Sequence, residues 1–219
     1  MFAAPRIVIL TAGASRRLGQ PKALVDLPGG APVVRLTLAA RTASAATGHP
    51  EDPLVVTGCH HAEIRAALAE ALGDDFREAL LVHNTGWEAG RTGGLALARG
   101  TARGRDLCIL PVDHPRISAA LLVELFAEWR RHDTPGRGWL APGFTGAVDD
   151  GAGPRPGHPI VVGAELAAEL PGLSPDQPLR DLRAAAQPLW MLPTADPAVL
   201  ENLDRPGDLE RIRRADQAS

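Results

Sequence analysis

The stretch from Ile7 to Lys22 constrains the fold of this chain more than any other. It begins with a short apolar run rich in β-branched residues, which predicts a buried strand. Small residues follow directly and allow backbone amides to come close to a ligand. Two arginines and a lysine complete the stretch. A strand that leads into an amide-lined, cationic loop indicates a phosphate-binding site.

Two common phosphate-binding motifs do not match this loop. A Walker loop has four residues between its glycines and then continues Gly-Lys-Ser/Thr. Here Gly13 and Gly19 enclose five residues, and Ala23 follows Lys22. A dinucleotide-binding fingerprint, G-x-G-x-x-G, is interrupted by Ala14-Ser15. Neither of these two motifs therefore describes the loop.

A longer pattern does match. The loop from Thr11 to Lys22 resembles A-A-G-x-S-x-R-x-G-x-x-K, the opening loop of the MobA-like nucleotidyltransferases, with Thr11 in the place of the first alanine. Further similar segments follow in the family's order as far as Ile212. The resemblance implies an α/β protein with a three-layer Rossmann-like nucleotidyltransferase fold and a mainly parallel, mixed central sheet. It also implies transfer of a nucleoside monophosphate from an NTP to a phosphorylated acceptor, with release of pyrophosphate.

Lys22 is the only lysine in the chain, since all other residues among the 23 Lys and Arg are arginines. Codon bias, which also suits the abundance of Ala, Gly and Pro, explains why lysines are rare but not why one stands here. An ammonium group is a compact charge with rotatable donors, and it can bridge phosphate oxygens where a planar guanidinium does not fit. We therefore interpret Lys22 as a phosphate-binding residue.

Composition bounds the class of protein. The 219 residues suffice for one large domain, and no repeat or long linker divides them, so we expect a single domain over 1–219. The net charge of -3 argues against a general nucleic-acid or membrane-surface binder. No signal peptide is evident and no apolar run approaches ~20 residues, so the expected location is cytoplasmic. Cys59 and Cys108 lie in or beside apolar runs and are expected to be buried free thiols.

Apolar runs and helical spacing predict strands that alternate with helices. The predicted strands cover 7–10, 54–58, 79–84, 106–113, 139–142, 157–162 and 190–193, and the predicted helices cover 32–46, 62–72, 119–130, 166–170, 179–186 and 208–215. A glycine-rich loop at 86–94 is predicted to lead into a short helix through Arg99. Ser118 is the predicted N-cap of the helix 119–130. The segment 144–156 is a predicted mobile loop. This alternation predicts a mainly parallel sheet with helices on both faces and a ligand site beyond the carboxyl ends of its strands.

The resemblance assigns a nucleotide-binding site to the opening loop and the glycine-rich loop. Its expected residues are Thr11, Ala12, Gly13, Ala14, Ser15, Lys22, Asn84 and Gly90. Arg17, Lys22 and Asp113 are the expected catalytic residues, the first two as partners of the triphosphate. In the glycine-rich segment, Arg91 replaces the methionine of the family pattern and Gly94 replaces its serine, so the identity of the nucleotide stays open.

Mg²⁺ (or Mn²⁺) is the expected cofactor, because hard cations bind carboxylate and phosphate oxygens. Asp113 ends a predicted strand and matches the metal-binding aspartate of the family's D-x-P segment, although an Asx-turn is the structural alternative. Asn202 and Asp204 occupy the two acidic positions of the family's D-I-D segment. Asp204 is therefore the second candidate metal ligand, with Asn202 supplying a neutral oxygen. Alternatively, Asp204 or Asp208 caps the last helix.

Two segments are similar to the molybdenum cofactor cytidylyltransferase branch of the family. Gly157-His158-Pro159 matches its G-H-P segment, and Asp176 with Arg180 matches its D-x-x-x-R. The expected acceptor-binding residues are therefore Arg155, His158, Asp176 and Arg180. An ion pair between Asp176 and Arg180 on one helix face is the structural alternative.

The resemblance also suggests the substrates. Ala12 before Gly13 favours CTP, because the guanylyl branch carries Ala-Gly-Gly at this point. The expected partners are CTP or another NTP, a phosphorylated acceptor such as molybdopterin, and a molybdoenzyme. Two alternatives stay open, namely a sugar- or alcohol-phosphate nucleotidyltransferase and a non-catalytic nucleotide- or cofactor-binding maturation partner. The second alternative is supported by departures from the family pattern at Thr11, Arg91, Gly94 and Asn202.

Overall fold

An eight-stranded mixed sheet runs through the protein, whose computed structural model describes residues 3–48, 50–146 and 153–217. Its strands are β1 (Arg6–Leu10), β2 (Leu54–Thr57), β3 (Leu81–His83), β4 (Leu107–Pro111), β5 (Trp139–Phe144), β6 (Arg155–Pro156), β7 (Ile160–Val162) and β8 (Leu189–Thr194). The helices are α1 (Pro32–Ala46), α2 (His61–Leu72), α3 (Arg91–Thr101), α4 (Ala119–Arg131), α5 (Ala164–Ala167), α6 (Leu179–Ala184) and α7 (Pro206–Gln217).

The strands lie in the order β3-β2-β1-β4-β7-β5-β6, and β8 pairs with β5. The pairs among β1, β2, β3 and β4 are parallel, β7 is antiparallel to β4 and β5, and β8 is parallel to β5. The predicted α/β class and mixed, mainly parallel sheet are thus confirmed. Because β1 and β4 are neighbours in parallel register, with Leu10 beside Pro111, the loops that follow them leave from the same edge of the sheet.

Helices cover both faces of this sheet and make the fold three-layered. Successive residues of a strand point to opposite faces, so Val8 and Ile9 belong to different cores. Ile9 shares a core with Leu36 of α1, to which α2 and α4 also contribute. Val8 shares the other core with Leu95 of α3, together with residues of α5 and α6.

Local sequence signals predict the helices well. The helix α1 has the predicted bounds 32–46. Ser118 caps α4 as predicted, because its hydroxyl oxygen accepts the backbone N–H of Leu121 at 3.2 Å. Within the described parts of the chain, every helix is too short or too polar to span a bilayer.

The helix after the glycine-rich loop begins earlier than predicted. It starts at Arg91, so that Gly93 and Gly94 are helical rather than part of a loop. A Cβ on Gly94 would stand 2.8 Å from Cγ1 of Val56. The glycine therefore lets α3 lie close against the sheet.

Three further predictions differ from the structure. β3 starts only at Leu81, because 78–80 form a 3-10 turn. The strand β6 falls within the predicted mobile loop 144–156, of which 147–152 lie outside the described residues. Cys108 is buried, which raises the pKa of its thiol, but Cys59 is exposed because it lies in the turn after β2 rather than in the strand.

Candidate active site

A cavity of about 400 Å³ opens beyond the carboxyl ends of β1 and β4. Residues of the opening loop line it, namely Thr11, Ala12, Gly13 and Ser15. Four cationic side chains and two carboxylates also line it, namely Arg16, Arg17, Lys22, Arg91, Asp113 and Asp204. This excess of positive charge in a concave site attracts a polyanion such as a nucleoside triphosphate.

Hydrogen bonds within the opening loop fix its path around the cavity. Ser15 has a φ of +53°, and its carbonyl oxygen accepts the N–H groups of Leu18 at 3.0 Å and Gly19 at 3.2 Å. Its Oγ accepts the backbone N–H of Lys22 at 2.9 Å. No described atom lies within 4 Å of the place where a Cβ on Gly13 would stand, so a ligand can approach this backbone closely.

Thr11 and Ala12 attach the loop to the neighbouring strand. The backbone N–H and the hydroxyl of Thr11 both donate to the carbonyl oxygen of Val56, at 2.9 Å and 2.8 Å. The carbonyl oxygen of Ala12 accepts the N–H of Cys59 at 3.2 Å. The buried Thr11 hydroxyl is therefore engaged with β2, which explains how threonine serves in an alanine position. Ala14 is not among the described residues that line the cavity.

Lys22 stands between two carboxylates. Its Nζ contacts Oδ1 of Asp204 and lies 3.7 Å from Oδ2 of Asp113. A guanidinium nitrogen of Arg17 lies 3.0 Å from Oδ2 of Asp204. The side chain of Lys22 is 15% exposed, so this charge is only partly solvated. The structure thus brings together the four charged residues that the sequence analysis assigned to catalysis and metal binding.

A small apolar core fixes the position of Asp204. Leu18 of the opening loop shares this core with Leu203 and with Leu209 of α7. The backbone N–H of Leu203 also donates to the carbonyl oxygen of Asp113 at 2.8 Å. The segment before α7 is therefore held against both the opening loop and the end of β4.

Asp208 closes the start of α7. Its Oδ2 accepts the backbone N–H groups of Asp204 at 3.0 Å and Arg205 at 2.9 Å. Burial would raise the pKa of Asp208, but these backbone hydrogen bonds and the nearby Arg211 lower it below its usual value. Because Asp208 takes the capping role, the carboxylate of Asp204 is directed to the cavity and its cations.

The oxygens of this site fit a hard divalent cation. Oδ1 of Asp113 is buried and has no hydrogen-bond partner among the described residues, and Nε2 of His114 is 3.8 Å away from it. Asn202 lies beside Asp204 and donates its Nδ2 to Oδ2 at 3.3 Å. Protein sites for Mg²⁺ often supply one or two carboxylates and leave the other positions to water and substrate phosphates. No cluster of three or more His, Cys, Asp or Glu side chains suited to a metal occurs in the described residues.

A second cavity, of about 310 Å³, adjoins the first. The two cavities share Leu10, Arg91 and Pro111. His158 and Arg180 line the second cavity, whereas Arg155 and Asp176 do not occur among its described lining residues. Asp176 precedes α6, and the carboxylate nearest to Arg180 is that of Asp181 at 4.0 Å. The ion pair between Asp176 and Arg180 considered from the sequence is therefore not formed in the described chain.

Two histidines, the buried His114 and His158 of the second cavity, lie side by side. The ring centroids of His114 and His158 are 4.7 Å apart. Burial, with the charges of His114 and Arg91, lowers the pKa of His158 to about 3. Burial also lowers the pKa of His114, although the carboxylate of Asp113 opposes this shift. Both rings are neutral near pH 7 and add no positive charge to the cavities.

Asn84 and Gly90 lie outside the lining of both cavities in the described chain. Asn84 is 4% exposed, and its Oδ1 accepts the N–H of Gly86 at 3.1 Å. Gly90 has a φ of +139°, and a Cβ there would stand 2.1 Å from the carbonyl oxygen of Pro175. Both residues shape the glycine-rich segment, and other residues of that segment line the cavities.

Sequence analysis does not identify Trp87 or Arg183 as site residues. Trp87 lines the first cavity, and a Cβ on Gly58 would stand 2.6 Å from Cβ of Trp87. The glycine that follows β2 was the available signal for this close approach. Arg183 lines the second cavity from the short helix α6, and no local pattern predicts the direction of that helix.

The sequence of this chain matches a known protein family. The MobA-like NTP transferase domain matches residues 7–189 of the chain. No curated protein is significantly similar to it.

Three solved structures share the fold over nearly their full length. A nucleotidyl transferase from Methanothermobacter is 26% identical, with 98% of each chain covered and a TM-score of 0.70. Rv0371c from Mycobacterium tuberculosis, in a complex with manganese, is 19% identical, with 97% of this chain and 100% of that one covered and a TM-score of 0.70. Molybdopterin-guanine dinucleotide biosynthesis protein A from Archaeoglobus fulgidus is 17% identical, with 98% and 100% covered and a TM-score of 0.65.

Proposed function

This chain belongs to the MobA-like NTP transferase family, and from that premise we propose that it transfers CMP from CTP to a phosphorylated acceptor of the molybdopterin class, releasing pyrophosphate. One observation carries the proposal. The only lysine of the chain lies in a cavity where its backbone N–H is bonded to Ser15 and its ammonium group contacts the carboxylates of Asp113 and Asp204. A cation suited to phosphate therefore lies beside two carboxylates suited to a metal ion, and this juxtaposition supports the proposal.

The opening loop and its cations would hold the triphosphate. The backbone around Gly13 is open to a close approach, and Arg17 and Lys22 supply positive charge on the same wall. Arg16 lines the cavity too and has no ion-pair partner among the described residues. These groups orient the α-phosphate for attack and compensate the charge that develops on the leaving pyrophosphate.

Asp113 and Asp204 would hold Mg²⁺ or Mn²⁺, with Asn202 as a neutral neighbour. When bound, the metal neutralises charge on the α-phosphate and the attacking oxygen. The manganese complex of the Mycobacterium tuberculosis protein supports a divalent ion on this fold. The buried Oδ1 of Asp113, which has no hydrogen-bond partner among the described residues, also supports this role.

The acceptor supplies its own nucleophile. An oxygen of its phosphate is already anionic at neutral pH, so it forms a bond to the α-phosphorus without a general base. The bond between the α-phosphorus and the bridging oxygen breaks, and pyrophosphate leaves with that electron pair. Holding the two substrates in line contributes ~7–11 kcal/mol to such a displacement. The junction of the two cavities, formed by Leu10, Arg91 and Pro111, is where the two substrates would meet.

The choice of CTP rests on the resemblance of Ala12-Gly13 and Gly157-His158-Pro159 to the cytidylyl branch. His158 lines the second cavity, which supports an acceptor role for that segment. The test is a reaction of the purified chain with each NTP, MgCl₂ or MnCl₂, and molybdopterin. We expect pyrophosphate and a cytidylylated product in equal amounts. Tight binding of CTP without any pyrophosphate would instead identify a non-catalytic maturation partner.

A further inference from the structure

The second cavity has a lining that limits the chemistry of the acceptor. Resting on the proposed function, we infer that the acceptor is an organic phosphate whose body carries few hydroxyl groups and that it has a second anionic group. Arg91 binds its attacking phosphate at the junction of the cavities, and Arg183, with Arg180, binds the second anion. These three residues are called the arginine rim below.

The walls of this cavity carry hydrogen-bond donors but few acceptors. Its apolar surface comes from side chains such as Leu95, Ile109, Trp139, Ile160 and Leu179. Its described lining includes no Asp, Glu, Ser, Thr, Asn or Gln side chain. The polar side chains are those of the arginine rim, His158 and the indole N–H of Trp139. A sugar phosphate brings several hydroxyl donors, which would find only backbone carbonyls or water here, so a body with few hydroxyl groups fits better.

The arginine rim is available to a ligand. Arg91 and Arg183 are exposed, and the side chain of neither forms an ion pair or hydrogen bond with another described residue. Arg180 has only a 4.0 Å approach to Asp181. A guanidinium group binds carboxylates and phosphates in a bidentate manner, so each member can take one anionic group.

Hydrogen bonds connect the part of the arginine rim on α3 to the segment that precedes its part on α6. The backbone N–H of Thr92 donates to the carbonyl oxygen of Pro175 at 3.1 Å, and its hydroxyl donates to that of Gln177 at 2.6 Å. Gly90 permits this contact, because any Cβ there would overlap Pro175. The first turn of α3, with Arg91, is thus fixed to the segment that leads into α6 and Arg183.

Arg91 lines both cavities and departs from the family pattern, which has methionine at this position. A methionine there would add only apolar surface, whereas the guanidinium brings a positive charge to the junction. The positive charge of Arg91 also acts on His158, where it helps to lower the pKa of the ring. The departure therefore changes the anion-binding capacity of the junction and not merely its shape.

The test measures binding of three probes while the first cavity is filled. The full chain is saturated with Mg²⁺ and a CTP analogue that has a methylene bridge between its α- and β-phosphorus atoms and cannot react. Calorimetry then gives the affinities of 4-carboxyphenyl phosphate, phenyl phosphate and glucose 1-phosphate. The variants are Arg183→Gln and Arg91→Met, and the matched control is Arg103→Gln. Arg103 is also exposed and unpaired among the described residues but lines neither cavity.

We expect 4-carboxyphenyl phosphate to bind at least about tenfold more tightly than phenyl phosphate, with glucose 1-phosphate the weakest. Arg183→Gln should remove the advantage of the carboxylate, Arg91→Met should weaken both aryl phosphates, and Arg103→Gln should change neither. Equal affinities for the two aryl phosphates, or a preference for glucose 1-phosphate, would overturn this inference alone. Failure of the CTP analogue to bind would instead contradict the proposed function, and denaturant unfolding at the wild-type midpoint shows that the variants are folded.

Discussion

Lys22 and Asp204 form an ion pair although 182 positions separate them in the chain. The lysine follows the opening loop, and the aspartate precedes the last helix. Both side chains are largely shielded from solvent, with 15% and 20% of their surfaces exposed. The pair therefore links the phosphate-binding loop to the candidate metal ligands and makes their positions interdependent.

Replacement of Lys22 tests the chemistry of this link. Lys22→Ala should lower the affinity for CTP at least about tenfold, since a hydrogen bond to a charged group is worth ~1.5–3 kcal/mol. Lys22→Arg should restore little, because the planar guanidinium does not fit between two carboxylates and a phosphate. Affinities from calorimetry with CTP and Mg²⁺ check this prediction. Arg103→Gln is the control. A wild-type affinity for CTP in Lys22→Arg would contradict the prediction.

Asp208 should affect the site although it does not line the cavity. Asp208→Ala removes two hydrogen bonds to the backbone of the Asp204 segment, so we expect a loss of ~1 kcal/mol in unfolding free energy and weaker binding of Mg²⁺ with CTP. Glu210→Ala is the matched control on the same helix, because the side chain of Glu210 pairs with that of Arg213 at the surface. Denaturant unfolding and Mg²⁺ titration measure the two effects. Identical behaviour of the two variants would show that Asp208 does not position Asp204.

The close contact at Gly90 gives a prediction about the second cavity. Gly90→Ala would force a positive φ on alanine and place its Cβ 2.1 Å from the carbonyl oxygen of Pro175, so we expect a loss of at least about 2 kcal/mol in stability. The segment that leads to Arg183 should also shift and weaken binding of acidic aryl phosphates. Gly93→Ala is the control, because its Cβ would make only an ordinary 3.4 Å contact with Cβ of Pro175. It should be neutral or stabilise by up to about 1 kcal/mol, and equal losses in both variants would contradict this account.

His158 predicts a pH dependence of stability. Its pKa is about 3 in the folded chain, so the ring stays neutral there, whereas in the unfolded chain it takes up a proton below about pH 6.5. Stability should therefore fall as the pH decreases from about 6.5 towards 3, by ~1.4 kcal/mol per pH unit for this group. Between pH 7 and pH 5, His158→Gln should lose ~2 kcal/mol less than the wild type does. Parallel stability curves for the two proteins would contradict this assignment.

Much of the fold was predictable because its signals are local. The apolar periodicity of α1 and the Ser118 cap of α4 depend on residues within a few turns, and both are found where predicted. The strand and loop that end at Lys22 likewise carry their own pattern of apolar and small residues. Glycine misled the prediction at Gly94, where a residue typical of loops is helical because α3 must approach Val56 closely.

What could not be predicted depends on distant contacts. Nothing near Asp204 in the sequence shows that Leu203 shares a core with Leu18, yet this core places the carboxylate beside Lys22. Arg183 belongs to a helix of six residues whose direction is set by the contact of Thr92 with Gln177. Family resemblance supplied Asp113, Asp204 and His158, and the structure shows which of these side chains share a cavity.

The most direct test of the central claim is thermal unfolding of the wild type, Lys22→Ala and Asp113→Ala with each NTP, with and without Mg²⁺. CTP at 100 times its dissociation constant should stabilise the wild type by ~2.7 kcal/mol. We expect this shift to be selective for CTP, reduced to at most ~1.4 kcal/mol in Lys22→Ala, and insensitive to Mg²⁺ in Asp113→Ala. If no nucleotide at millimolar concentration stabilises the wild type, the cavity at Lys22 is not a nucleotide site and the proposed transferase activity is wrong.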